Sequence, residues 1–400
     1  HWNGVLGTGL ALHALPVDGA GLHRLDLLRE LAPRAAMLCT MAANNETGVV
    51  SDLAAIEALL ADCAPGALWM VDSVQALGKL RLDLAATRID YAPFSGHKLY
   101  APKGVGMLYV RAGAPYTALM MGGGQEGGQR SGTENMSGIV ALGAVLAALE
   151  EGTTFASPQQ LAGFRDRLAD ALRQALPGIV FNTPFQHALP TTLNFSVGGL
   201  AGKQLLDLFD ASGIRVSAGS ACSASKAAPS YVLEAMGLPA WRSGAAVRLS
   251  FGPMADAQFI DAACQRLLRC GAALRAADAQ PLPDPAHVPA DALTAIGAFT
   301  LAPDALADFL LAHPDACLID VREAVEHAVA GTRLWHGRRA ENVPLSRLPQ
   351  KAAEWMHGEQ QPLVFFCRSG NRSAQAAVCM HRLGYHNAWH LAGGVALTTV

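Results

Sequence analysis

Ala35-Ala36-Met37-Leu38-Cys39-Thr40-Met41, then Ser51 to Cys63, then Leu68-Trp69-Met70-Val71 set the fold class of the first half of the chain. The outer two segments are short apolar runs of strand length, and the middle one has the spacing of an amphipathic helix. Strand, helix and strand in that order make a βαβ unit, which requires a mainly parallel sheet with helices packed on it. Gly106 to Val110 is a further strand candidate. Open sheets of this kind bind ligands beyond the carboxyl ends of their strands. Polar residues collect there, in Asn44-Asn45-Glu46-Thr47-Gly48 and in Asp72-Ser73-Val74-Gln75.

Farther along, Ser137 to Glu150 is almost free of charge and is expected as a helix buried between layers. Pro158 to Leu176 has the pattern of an ordinary amphipathic helix. A second α/β unit follows, with strands at Thr192 to Val197 and Val247 to Phe251. Asp278 to Pro289 is too rich in proline for a helix or a central strand and reads as a linker. Beyond it lies a compact unit: helix Pro303 to Ala312, strand Cys317 to Val321, strand Leu363 to Phe366 and helix Ser369 to Leu383. The expected organisation is domains at 1–152 and 153–277, a linker at 278–298 and a last domain at 299–400.

The 400 residues are 51% hydrophobic with a formal net charge of −3, which excludes a disordered chain and gives no basic footprint for nucleic acid. The longest apolar stretch, around Ile139 to Leu149, is too short to span a bilayer. No charged-then-apolar leader is seen, so a cytoplasmic location is expected. Eight cysteines without a C-x-x-C pair argue against a disulfide scaffold or a zinc ribbon, and no metal site is expected. Most should be reduced, buried and inert. Cys222 and Cys367 stand apart because each sits in a Gly/Ser-rich loop.

Phe94-Ser95-Gly96-His97-Lys98-Leu99-Tyr100 carries the densest chemical signal. A lysine forms a Schiff base when its amine can be neutral, which desolvation and nearby cations favour. Ser95 and His97 offer a hydroxyl and an imidazole to a phosphate. Asp72, at a strand end, suits the ring nitrogen of a pyridinium cofactor that must act as an electron sink. Alone, the lysine segment reads better as a surface turn, and Asp72 at least as well as a helix cap.

Together, in this order and spacing, these segments resemble the class V aminotransferase family and, within it, the cysteine desulfurases, from about Leu10 to Ala273. The resemblance implies a pyridoxal-phosphate enzyme of fold type I, an α/β architecture with a large, mainly parallel sheet domain and a smaller α/β domain. It makes Lys98 the Schiff-base lysine, Asp72 the partner of the ring nitrogen and Gln75 a contact of the phenolic oxygen. Asn45 would touch substrate or ring, and Ser95 and His97 would bind phosphate. The run Gly122-Gly123-Gly124-Gln125-Glu126 to Arg130-Ser131-Gly132-Thr133-Glu134-Asn135 is similar to the family segment that crosses to a second subunit. Thr133 would there reach the partner's phosphate, which implies a homodimer.

Ser217-Ala218-Gly219-Ser220-Ala221-Cys222-Ser223-Ala224-Ser225 is built of small residues and cannot pack a core, so its cysteine is expected to be accessible. The pattern resembles the desulfurase group with the longer cysteine loop. Cys222 would attack the sulfur of L-cysteine, keep it as a persulfide and leave alanine as the other product. Arg248, in Ala246-Val247-Arg248-Leu249-Ser250, matches the arginine that clamps the substrate carboxylate.

Phe365-Phe366-Cys367-Arg368-Ser369-Gly370-Asn371-Arg372-Ser373 joins a strand to a helix and would place Cys367 in a cup of backbone N–H groups, where a sulfur anion is stabilised. With Ile319-Asp320-Val321-Arg322-Glu323 before it and Leu391-Ala392-Gly393-Gly394 after it, this unit resembles a rhodanese-like α/β domain. Related phosphatase loops hold one more residue between cysteine and arginine; the four between Cys367 and Arg372 suit sulfur. Cys379, inside the helix pattern, is expected in the core.

The family resemblance also implies about a hundred further residues upstream, with a phosphate loop and a ring-stacking histidine that His1 is not. Pro93 falls in an expected strand, and Gly127 stands where the family has an arginine. The reading is thus a desulfurase with a fused rhodanese-like domain, passing sulfur from Cys222 to Cys367 and on to an acceptor such as an iron–sulfur scaffold or a tRNA-thiolation protein. A selenocysteine lyase, another class V aminotransferase and a non-catalytic sulfur carrier are the alternatives.

Overall fold

The structure is a computed structural model and describes residues 9–218, 229–277, 296–357 and 361–398. Contacts divide it into two units. The first comprises residues to Leu206 together with Val216–Cys264, and the second Asp207–Arg215 together with Gln265 onward.

In the first unit, helix α1 (Leu25–Leu31) precedes strand β1 (Met37–Met41), helix α2 (Leu53–Cys63) and strand β2 (Leu68–Asp72), with β1 and β2 parallel in the register Met41 to Asp72. Asp52 caps α2 by accepting from the Ala55 N–H at 2.9 Å, and Ile56, Leu59 and Leu60 form its buried face. Strands β3 (Tyr91–Ser95) and β4 (Gly106–Val110) complete the sheet in the order β1-β2-β3-β4, with β3 parallel to β2 and β4 antiparallel to β3. Trp69 and Val71, both 0% exposed, point from β2 into the core with Ile56, Leu60 and Ile89. Burying a side chain of this size stabilises by about 1.5–3 kcal/mol.

Pro93 is accommodated within β3. The parallel register with β2 is Met70 opposite Tyr91, and beyond it Pro93 gives only its carbonyl, to the Ser73 N–H at 3.1 Å. The Val71 carbonyl, which a residue with an N–H at 93 would reach, accepts instead from the Ser73 hydroxyl at 3.1 Å.

Helix α3 (Met136–Glu151) corrects one expectation. Its low charge suggests burial between layers, yet only Gly138 and Leu142 are buried, while Met136 is 62% exposed and Val140 65%. Low charge shows that a helix can lie against an apolar surface, and here that surface is not supplied by the described residues. Helix α4 (Pro158–Ala175) is amphipathic as expected, closed at its start by a Ser157–Gln160 capping box.

Strands β5 (Ile179–Phe181) and β6 (Thr192–Val197), helix α5 (Gly202–Ala211), strand β7 (Ser217–Ala218), helices α6 (Tyr231–Ala235) and α7 (Ala240–Ala245), strand β8 (Val247–Ser250) and helix α8 (Ala257–Ala277) follow. The sheet order is β5-β6-β8-β7, and every pairing is antiparallel.

The second unit holds β9 (Thr300–Leu301), α9 (Leu306–Ala312), β10 (Cys317–Asp320), α10 (Ala324–Ala330), the pair β11 (Leu334–Trp335) and β12 (Arg338–Arg339), β13 (Glu341–Asn342), α11 (Leu348–His357), β14 (Leu363–Phe366), α12 (Asn371–Arg382) and β15 (Ala388–Leu391). Its main sheet runs β13-β10-β14-β15-β9 and is parallel throughout. Successive residues feed two cores: Ile319, Leu363 and Phe365 on one face, Leu318, Val364 and Phe366 on the other. A strand covered on both faces reads as a continuous apolar run, which is why Leu363 to Phe366 is plain in the sequence. Most of the expected linker lies outside the described residues; from its end, Ile296–Phe299 form a short turn whose Phe299 stacks on His381 at 3.9 Å between ring centres.

The seven cysteines among the described residues are all free. The expectation that most are buried does not hold: only Cys270 and Cys367 are, and Cys39 is exposed. Cys379 packs against the core as expected, half-buried. Burial pushes the thiols of Cys264, Cys270, Cys317 and Cys379 up, which keeps them protonated and inert.

Candidate active site

Three parallel strands, β1, β2 and β3, end on one edge of the first sheet, and each is followed there by a polar segment. After β1, the Asn44 side chain accepts hydrogen bonds from the N–H groups of Glu46 and Thr47, both at 2.9 Å, and from the Thr47 hydroxyl at 3.1 Å. This folds the turn that carries Asn45. Arg248 Nη1 donates to the Asn45 carbonyl at 2.5 Å, which brings β8 to the same edge. Asn194 of β6 donates to the Glu46 carbonyl at 3.0 Å, and the Glu46 side chain, 5% exposed, accepts from Ser230 Oγ at 2.6 Å. Burial pushes the Glu46 carboxyl above the usual range, against the Ser230 hydrogen bond and the Arg248 charge that pull it down.

After β2, Asp72 Oδ1 accepts from the Val74 N–H at 3.1 Å. Gln75 Oε1 accepts from Lys79 Nζ at 3.0 Å. Burial first, then the charges of Lys98 and Arg248, bring Lys79 down to about 8. After β3, Ser95 Oγ and His97 Nδ1 lie 2.8 Å apart, and Lys98 stands in the single turn Gly96–Leu99 with its side chain exposed. The desolvated amine among the described residues is thus Lys79, a residue that the sequence reading passes over. Thr133 is exposed, between α3 and a turn at Gln125–Gly128 in which Glu126 and Gly127 both take positive φ. Glycine suits that backbone at 127; an arginine there would be strained. Cys222 lies outside the described residues.

The donor set fits pyridoxal phosphate. A carboxylate closes β2, an amine and a hydroxyl–imidazole pair follow β3, and Lys79, Lys98 and Arg248 are near enough to act on one another, a cluster suited to an anionic ligand.

In the second unit, β14 ends at Phe366 and α12 begins at Asn371, two residues later than the sequence suggests. The reason is Gly370, at φ +92, a backbone that turns its N–H onto Cys367 Sγ at 3.2 Å. Ser373 Oγ lies 3.7 Å from the same sulfur, and Cys367 is 1% exposed. Val395 N–H bonds to the Cys367 carbonyl at 2.9 Å and Ala396 N–H to that of Arg368 at 3.0 Å, so the Gly393-Gly394 segment closes over the loop.

Arg372 meets Glu326 through two hydrogen bonds, Nη1 to Oε2 at 2.5 Å and Nη2 to Oε1 at 2.8 Å. Burial lowers the guanidinium pKa, but the Glu326 hydrogen bonds and the charges of Glu326, Asp207 and Cys367 outweigh it and hold it above its ordinary value. Arg368 Nε bonds to Asp210, and its Nη1 lies 3.6 Å from Asp207. Ser369 and Asn371 complete the loop. Beneath it, buried Asp320 takes Arg322 Nη2 at 2.6 Å and His327 Nδ1 at 2.9 Å.

The family profile described as aminotransferase class-V matches residues 2–262, and that of the rhodanese-like domain matches residues 303–397. The chain belongs to the class-V aminotransferase family. It carries a rhodanese-like domain at its C-terminal side. A cysteine desulfurase of Gluconacetobacter diazotrophicus is 38% identical over 244 residues, 61% of this chain and 60% of that protein. One of Sinorhizobium fredii is 39% identical over 244 residues, 60% of this chain and 62% of that protein. Among solved structures, a NifS-like protein aligns with a TM-score of 0.59 at 31% identity, covering 67% of this chain and 70% of its own. DndA from Streptomyces lividans aligns at 0.53 and 30%, covering 63% and 71%. The chain spans about 60% of the length of the curated relatives it matches.

In this class-V aminotransferase chain the structure gathers Asn45, Asp72, Gln75, Ser95, His97, Lys98 and Arg248 around one sheet edge, and Cys367 to Arg372 around another. It adds Lys79, Glu46 and Ser230 to the first group and Glu326 to the second. Glu46 and Glu326 carry no sequence signal, because the burial that makes each carboxylate need a partner appears only in the fold. Among the described residues no group of histidine, cysteine and acidic side chains could hold a metal ion, and no helix is long and apolar enough to cross a membrane.

Proposed function

We propose that this chain is part of a pyridoxal-phosphate-dependent cysteine desulfurase that converts L-cysteine to L-alanine and hands the sulfur to its own rhodanese-like domain. Support comes from one observation above all: Arg248 is tied to Asn45 at the strand edge that also holds Asp72 and the Ser95–Lys98 segment. Bound there, the cofactor supplies an electron sink for the substrate carbon. Lys98 is the amine that holds it and moves a proton, and Asp72 keeps its ring nitrogen charged. Ser95 and His97 take the phosphate, with Thr133 contributed from a second copy. Gln75 orients the phenolic oxygen. Arg248 clamps the substrate carboxylate as a bidentate donor, with Asn45 beside it.

Cys222 takes the substrate sulfur and passes it to Cys367, whose cup of N–H and hydroxyl groups suits a sulfur anion. Joining donor and acceptor in one chain raises the effective concentration to about millimolar. The domain ends fall near 152, 277 and 298. Leu119 (94% exposed), Met121 (75%) and Val140 (65%) form apolar surface that a homodimer would cover. Free thiols suit a reducing, cytoplasmic setting, and the onward acceptor is a protein of iron–sulfur assembly or of tRNA thiolation.

Mass spectrometry of the full chain after addition of pyridoxal phosphate and L-cysteine tests the relay. Alanine should appear with persulfides on Cys222 and Cys367, and Lys98→Ala should abolish both. A Cys367 persulfide that survives Cys222→Ala, with no other sulfur donor present, overturns it.

A further inference from the structure

Cys367 shares its loop with two arginines, and each already faces an acid. Arg372 lies along Glu326 in a two-point pairing at 2.5 and 2.8 Å, with side chains 15% and 4% exposed. Fork-to-fork geometry is the most complete match a guanidinium can have, and at this burial Glu326 takes up more of its charge than Cys367 does. Glu326 is itself fixed, since Oε2 also accepts from the Glu323 N–H at 2.9 Å in the capping box of α10. Arg368 is directed at Asp210 and Asp207. What touches Cys367 Sγ is uncharged, the Gly370 N–H, the Ser373 hydroxyl and the first turn of α12, while Arg372 acts on the sulfur through its charge alone and shares that charge with Glu326. Such a set stabilises one negative charge well and two poorly.

We infer that Glu326 determines the donor class of this loop: by holding the charge of Arg372, it makes Cys367 a receiver of sulfur from persulfides rather than from dianionic sulfur donors. The inference rests on reading Cys367 as a sulfur carrier. In the favoured reaction the Cys367 thiolate attacks the outer sulfur of R–S–SH. The new S–S bond forms as the old one breaks, the electron pair leaves on R–S⁻, and Cys367 becomes Cys–S–SH without any external oxidant or reductant. With thiosulfate the same attack expels sulfite, and the two charges of that donor and leaving group need cations that the loop has committed elsewhere.

The test follows persulfide on the Cys367 peptide of the full chain by mass spectrometry, with 2-mercaptoethanol persulfide or sodium thiosulfate as donor. The unaltered chain should load from the persulfide at least about a hundredfold faster than from thiosulfate, and equal rates overturn the inference. Glu326→Gln frees Arg372, so thiosulfate loading should rise about tenfold while persulfide loading does not rise. Glu326→Asp should keep the original preference, and the neutral pair Glu326→Gln with Arg372→Gln should return to it. An unchanged ratio in Glu326→Gln, or an equal fall of both rates, shows a merely structural carboxylate and overturns the inference. If Glu326→Gln does not fold, the comparison passes to the unaltered chain and the neutral pair, whose preferences should agree; a lost preference in the pair overturns it. Loading from neither donor removes the sulfur-carrier reading and this inference with it, whereas loading with the wrong preference removes the inference alone.

Discussion

The Ser230 hydroxyl donates a 2.6 Å hydrogen bond to Glu46 Oε2, joining positions 184 residues apart in sequence. Ser230 also caps α6 through the Leu233 N–H at 3.2 Å, so one hydroxyl links the Asn45 turn to the start of that helix. The Glu46 carboxyl is raised by burial, so the folded chain holds a proton that the unfolded chain releases. Its contribution to stability is complete below the ordinary value of 4.5 and is lost as pH rises through the raised one. Glu46→Gln keeps a partner for Ser230 but cannot ionise. Its thermal midpoint should therefore gain on that of the unaltered chain as pH rises above the ordinary carboxylate range. Calorimetry at several pH values checks this, and a constant difference contradicts it.

Lys79, brought down to about 8, gives the anion site its own pH dependence. Below that value the ammonium is charged and attracts a phosphate; above it the attraction fades. Pyridoxal phosphate should bind more weakly at about pH 9.5 than at about pH 7, by roughly tenfold, the scale of one lost charge contact. Lys79→Met should weaken binding at the lower pH and flatten the profile. Absorbance titration reads both, and an unaltered profile in the variant excludes Lys79 from the anion site.

Asp320 is fully buried and holds both Arg322 and His327. Removing one partner strands a buried guanidinium, which costs about 3–5 kcal/mol. Asp320→Asn should lower the urea midpoint of the second unit accordingly. Asp26→Asn, in the exposed Arg24–Asp26 pair, should leave unfolding where it is.

Gly394 sits at φ +55, and a Cβ there would stand 2.2 Å from the Cys367 carbonyl oxygen and 2.8 Å from that of Arg368. Gly394→Ala should push the 393–396 segment off the loop, at a cost of about 1–3 kcal/mol. Iodoacetamide should then alkylate Cys367 faster than in the unaltered chain, measured by peptide mapping. No change in rate shows that the close approach does not shelter the thiol.

Much of this architecture is legible in the sequence, for physical reasons. Leu68–Asp72, Gly106–Val110 and Leu363–Phe366 are apolar runs bounded by turn residues; Asp72 and Ser95 end strands and Cys367 follows one, so a strand locates its site residue. The antiparallel pairing of β5-β6-β8-β7 is not legible, because short apolar strands look alike in either direction. Neither are the pairings that finish the sites. Arg248 finds Asn45 across 203 residues and Arg372 finds Glu326 across 46, distances over which residue type carries no address. Lys79 looks like any surface lysine until Lys98 and Arg248 are folded beside it.

The seal over Cys367 also bears on how long a captured sulfur lasts. A persulfide in solution is short-lived, since any passing thiol can strip it. At 1% exposure, beneath the backbone bonds from Val395 and Ala396, the Cys367 sulfur is shielded from such encounters. In the proposed relay, leakage would then depend on how often that cover lifts, and the domain would act as a vault that gives up its deposit slowly.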